Sequence, residues 1–109
     1  ASLYFANMGF VEDRLRAELA GRPDIKYVVF DLSGVNDVDA VALESMDRVV
    51  DSLNERGITA AFAGMKGPVR DRAARAEWPE KYGRRISYLS LREALDDKPG
   101  PAMVEQKRV

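Results

Sequence analysis

Residues 27–43, YVVFDLSGVNDVDAVAL, restrict the fold more than any other part of the chain. Tyr27, Val28, Val29 and Phe30 form an unbroken apolar run of β-branched and aromatic side chains, the pattern of a short strand covered on both faces. Beyond Gly34 the period changes, and Leu43, Met46, Val50 and Leu53 recur at helical spacing. The switch occupies residues 35–39. Asp37 and Asp39 suit a helix start there, because a carboxylate accepts bonds from the free N–H groups of the first turn and complements the positive end of the helix dipole. The stretch predicts a strand, a polar loop and a helix.

The alternation continues on both sides. Leu3, Tyr4, Phe5 and Ala6 predict a strand and Asn7 a helix cap, followed by an apolar stripe of Met8, Val11, Leu15 and Leu19 that stops at Gly21 and Pro23. Gly57 stands at the expected stop of the second helix, and residues 58–63, ITAAFA, predict a buried strand whose alanines let a helix approach closely. The loop GMKGP at 64–68 leads through Pro68 into a helix ending near Ala76, with Arg70, Arg72 and Arg75 outward. Pro79 and Gly83 predict an irregular segment at 78–85, and residues 86–89 a last short strand. Ser90 and Glu93 form a capping box for a final helix, and residues 99–109 predict a polar, disordered tail. The expected fold is one α/β domain over residues 1–98, with a largely parallel four-stranded sheet packed with helices.

Composition removes much familiar chemistry. The 109 residues contain no His and no Cys, hence neither the commonest general base nor a thiolate nucleophile or metal ligand. Asp37 and Asp39 invite a paired-carboxylate reading, either acid–base or Mg²⁺, but no third ligand accompanies them and helix capping accounts for both. No catalytic residue, metal site or cofactor is expected. Seventeen basic against eighteen acidic residues, a net charge of −1, argue against an extended nucleic-acid surface. No run reaches the roughly 20 apolar residues that cross a bilayer. A chain without an initiator Met that opens on a strand-like segment is expected to be part of a longer protein. The loop GMKG lacks the spacing of a P-loop, yet Lys66 and Arg70 flank a helix N-terminus and offer a secondary anion or nucleotide contact.

Three stretches, SLYFAN at 2–7, DLSGVNDVDAVAL at 31–43 and AGMKGPVRD at 63–71, resemble in order and spacing the STAS domain, and specifically the cytoplasmic STAS domain that follows the membrane part of SulP-type transporters of sulfate and related anions. The resemblance implies that one family strand before Ser2 is missing, which leaves a sheet edge open to self-association as a homodimer. It implies a non-enzymatic regulatory domain on the cytoplasmic side of the cell membrane. The implied partners are the transporter's transmembrane domain and a soluble cytoplasmic protein or nucleotide. In STAS relatives that act as anti-sigma-factor antagonists, a Ser two residues beyond the position of Asp39 is phosphorylated. Here Val41 stands there and has no hydroxyl, so a free-standing partner-switching protein is the less favoured alternative. The interaction surface is expected on Ser33, Gly34, Asn36, Asp37, Asp39, Val41 and Glu44, at the carboxyl end of a strand, with an acidic character that suits a basic partner.

Overall fold

Four apolar side chains in succession make Tyr27–Asp31 (β1) a strand whose residues alternate between two buried layers. The computed structural model describes residues 8–97 and the backbone of 106–108. Val28 and Phe30 enter the larger core cluster, Tyr27 and Val29 the smaller one on the opposite face. Strand β2 (Thr59–Ala63) lies parallel to β1, with Tyr27 opposite Thr59 and Asp31 opposite Ala63. Ala60 and Phe62 share the larger layer, where the rings of Phe30 and Phe62 stack at 5.2 Å.

Helices α1 (Met8–Leu19), α2 (Ala40–Glu55), α3 (Gly67–Arg75) and α4 (Trp78–Tyr82) bury most of their apolar residues in that layer, Phe10 and Val41 staying exposed. Phe30, Leu43, Met46 and Leu53 belong to one cluster, as the helical spacing predicts. The opposite face is covered by α5 (Leu91–Asp96), whose Ala94 is fully buried against the layer of Ala61 and Ala63. These two alanines are small because α5 packs there, and the Tyr27 hydroxyl crosses to donate to the Ala94 carbonyl at 2.8 Å. Asn7 and the strand expected at 3–6 lie outside the described residues.

Three expectations change. Residues 78–85 are ordered, because Pro79 falls in the first turn of α4, where its missing N–H costs nothing, and a 3₁₀ turn follows at Gly83–Ile86. Trp78, 1% exposed, anchors this segment against Phe62 at 4.6 Å and Tyr82 at 5.2 Å. The strand expected at 86–89 reduces to one parallel bridge between Tyr88 and Ala63. The 3₁₀ turn claims Ile86 and the Ser90 cap claims the chain beyond, so no room for a ladder is left. Finally, Gln106–Arg108 (β3), inside the stretch expected to be a disordered tail, pairs in parallel with Tyr27, Val28 and Val29. The sheet of the described residues has three strands in the order β2-β1-β3, and the strand expected at 3–6 lies outside them.

Candidate docking surface

Because β1 and β2 are parallel neighbours, the loops leaving their carboxyl ends lie side by side. The Leu32 N–H donates to the Ala63 carbonyl at 2.8 Å, and Gly64 then passes directly beneath Ser33. Gly64 has φ +74°, and a Cβ placed on it would stand 3.0 Å from the Ser33 Cβ, so only glycine fits both the left-handed turn and the close approach. The first loop folds on itself: the Ser33 N–H donates to Asp31 Oδ1 at 3.0 Å and the Val35 N–H to the Leu32 carbonyl at 2.9 Å.

Of the two carboxylates suited to start α2, only Asp39 does so. Its extended backbone precedes the first turn and its Oδ1 accepts from the Ala42 N–H at 2.7 Å. Val38 is 2% exposed, and its insertion into the core turns Asp37 aside; Asp37 Oδ1 accepts from the Val38 N–H at 2.9 Å and faces Arg72 Nε at 3.8 Å. Ser33, Gly34 and Asn36 are exposed, as are Val41 (46%) and Glu44 in the first turns of α2.

The two regions that sequence treats separately form one surface. Lys66 Nζ donates to Asn36 Oδ1 at 2.7 Å across thirty residues of chain, and Arg72 of α3 meets Asp37. Arg70 stays exposed on α3, and nothing in its described contacts draws it to the loop. Beside the loop, Glu44, Asp47, Arg72, Arg75 and Lys81 border a depression of about 270 Å³ between α2 and the α3–α4 pair. Asp47 is its fixed point, accepting from Lys81 Nζ at 2.9 Å and from the Tyr82 hydroxyl. The bond to Asp47 holds the Lys81 ammonium above the usual lysine range, and burial together with the same carboxylate raises the Tyr82 phenol well above the usual tyrosine range. Sequence named the exposed Arg72 and Arg75 only as a basic helix face and did not single out Asp47, Lys81 or Tyr82, whose partners are remote in the chain. With these bases in place the surface carries both signs of charge, not the acidic character that residues 33–44 alone suggest. Among the described residues no group of three His, Cys, Asp or Glu is placed to hold a metal ion.

Comparison with known proteins places this geometry in a family. The STAS domain family model matches residues 1–94, and the chain belongs to that family. Its sequence is similar to Sulfate transporter 1.3 of Arabidopsis thaliana, 24% identical over 105 residues, covering 88% of this chain and 16% of the transporter. It is also similar to Low affinity sulfate transporter 3 of Stylosanthes hamata, at 25% identity over 87% of this chain and 16% of that protein. The murine Solute Carrier 26 family member A9 anion transporter in the inward-facing state shares the fold, with a TM-score of 0.74 at 18% identity over 87% of this chain and 16% of that one. The chain thus spans about 16% of the length of the relatives it matches. The reported relatives are named as transporters, and none of these names is that of an enzyme. No helix among the described residues is long and apolar enough to cross a membrane.

Proposed function

We propose that residues 1–98 are the regulatory domain of a SulP-type transporter of sulfate or a related anion, acting without enzymatic chemistry from the cytoplasmic side. The observation that supports this best is the resemblance to sulfate transporters along nearly the whole chain while covering only 16% of each of them. In this reading the membrane part of the parent protein carries the anion, and the surface built from residues 33–44 with the start of α3 docks on that membrane part or on a soluble cytoplasmic partner. A partner seated here meets Val41 as an apolar contact, Glu44 on one side and Arg72 and Arg75 on the other, so it has mixed charge. The partner-switching alternative is disfavoured because α2 presents an exposed isopropyl group, and no hydroxyl, at position 41.

Anion uptake by the parent transporter, with and without this domain and normalised to protein in the membrane, tests the reading. Deletion is expected to change the uptake rate or the assembly of the transporter. Unchanged uptake, assembly and trafficking would contradict it.

A further inference from the structure

We propose that the groove between α1 and α2 is a binding site for hydrogen phosphate, an oxyanion that carries both negative charge and a proton. The two helices pack against each other and border a groove of about 260 Å³ at the end of α2 opposite the loop surface. Beneath it Leu15, Leu19, Val49 and Leu53 are closed off, at 6%, 4%, 9% and 2% exposed, so a ligand meets the polar walls and not the hydrocarbon floor. The α2 wall is an exposed row at every fourth residue, Arg48, Ser52 and Arg56, and the α1 wall is the exposed Arg16 with the half-buried Glu12. Arg16, Arg48, Ser52 and Arg56 can all donate hydrogen bonds, and Glu12 alone is a charged acceptor.

Three guanidinium groups against one carboxylate make the groove basic in a chain whose net charge is −1. Arg16 shares its charge with Asp13 at 2.8 Å. Arg48 instead donates to a neutral acceptor, Ser45 Oγ, at 3.0 Å, and among the described residues neither Arg48 nor Arg56 is ion-paired, which leaves their charge to a ligand. A planar carboxylate is satisfied by a single guanidinium fork. A tetrahedral oxyanion directs oxygens to both walls at once, and the Ser52 hydroxyl between the two arginines adds a donor. Glu12 then selects among such anions. At neutral pH inorganic phosphate keeps a proton that it can donate to this carboxylate, whereas sulfate has none and meets only the repulsion of like charges.

The test is an NMR titration of the full 109-residue chain with sodium phosphate at neutral pH, beside sodium sulfate, with ionic strength held constant by sodium chloride. Phosphate is expected to give saturable amide shifts centred on Arg48, Ser52 and Arg56, and to bind more tightly than sulfate. Its affinity should fall about tenfold or more in Arg48→Gln/Arg56→Gln and hold in Arg92→Gln, which removes an equal charge exposed on α5. Should the double variant disturb α2, Arg56→Gln alone leaves the bond from Arg48 to Ser45 in place and is expected to weaken binding in the same direction. Glu12→Gln removes the repulsion and is expected to raise sulfate affinity and narrow the gap between the two anions. Absence of saturable shifts, shifts centred instead on Lys66 and Arg70, indifference to the arginine variants, or sulfate bound as tightly as phosphate by the wild-type chain would overturn the proposal. Capture of the chain by phosphatidic acid vesicles that saturating phosphate fails to displace would overturn it in favour of a lipid headgroup.

Discussion

Asp39 and Asp37 show how much one residue's role depends on its neighbour. Both carboxylates suit a helix start, and sequence could not separate them, because the choice rests on Val38 reaching the core. Asp39→Ala is expected to lose a cap and lower the unfolding free energy by about 1 kcal/mol. Asp37→Ala loses a half-exposed ion pair to Arg72 and a local bond from the Val38 N–H but no helix cap, and should cost less, in a class where such pairs contribute about 0–1 kcal/mol. Chemical denaturation of the two variants side by side distinguishes them; equal losses would mean that Asp37 also carries the helix start. At Gly64, Ala must adopt a left-handed backbone and push Ser33 away, so Gly64→Ala should destabilise by at least the roughly 1–2 kcal/mol of the backbone penalty. That loss, too, is read from a denaturation midpoint. The sequence marked GMKG as a turn, but the contact with Ser33 depends on two loops being adjacent in space.

At the scale of elements, β1 and α2 were legible because their apolar periods are long and unambiguous, and the burial of Leu43 and Met46 follows from them. Leu43→Ala and Met46→Ala should each lower stability by about 2–5 kcal/mol in urea unfolding; an unchanged midpoint would contradict the packing of α2 on β1. The segment from Trp78 onward was not legible. Its order comes from aromatic contacts with Phe62, sixteen residues earlier, whereas Pro79 and Gly83 look locally like breaks. Tyr88 gives this region a pH signature: burial and its bond to Asp97 push its pKa up to about 12 from 10.0. A folded-state pKa raised above the unfolded value contributes stability in full below pH 10 and loses it as pH rises through about 12. Tyr82 and Lys81, raised as well, act in the same direction. Thermal stability should therefore fall in strong alkali, and Tyr88→Phe should lessen the slope. A Tyr88→Phe chain with an unaltered alkaline limb would show that Tyr88 does not contribute to it.

For the whole molecule, strand–helix alternation was enough to indicate an α/β domain, and three short stretches were enough to indicate its family. The sheet order was not accessible that way. Nothing local tells that residues 106–108 pair with β1, or that Lys66 reaches Asn36 and joins two loops into one surface. Glu44 is the most direct probe of that joined surface, being exposed at the rim of the depression and outside the helix cap. The decisive measurement is anion uptake by the transporter proposed as the parent protein, carrying Glu44→Lys, against wild type at equal membrane level, with thermal unfolding of the isolated chain in parallel. Altered uptake is expected, with stability held within about 0.5 kcal/mol, the usual range for a surface substitution. Wild-type uptake from a domain that folds normally would contradict it.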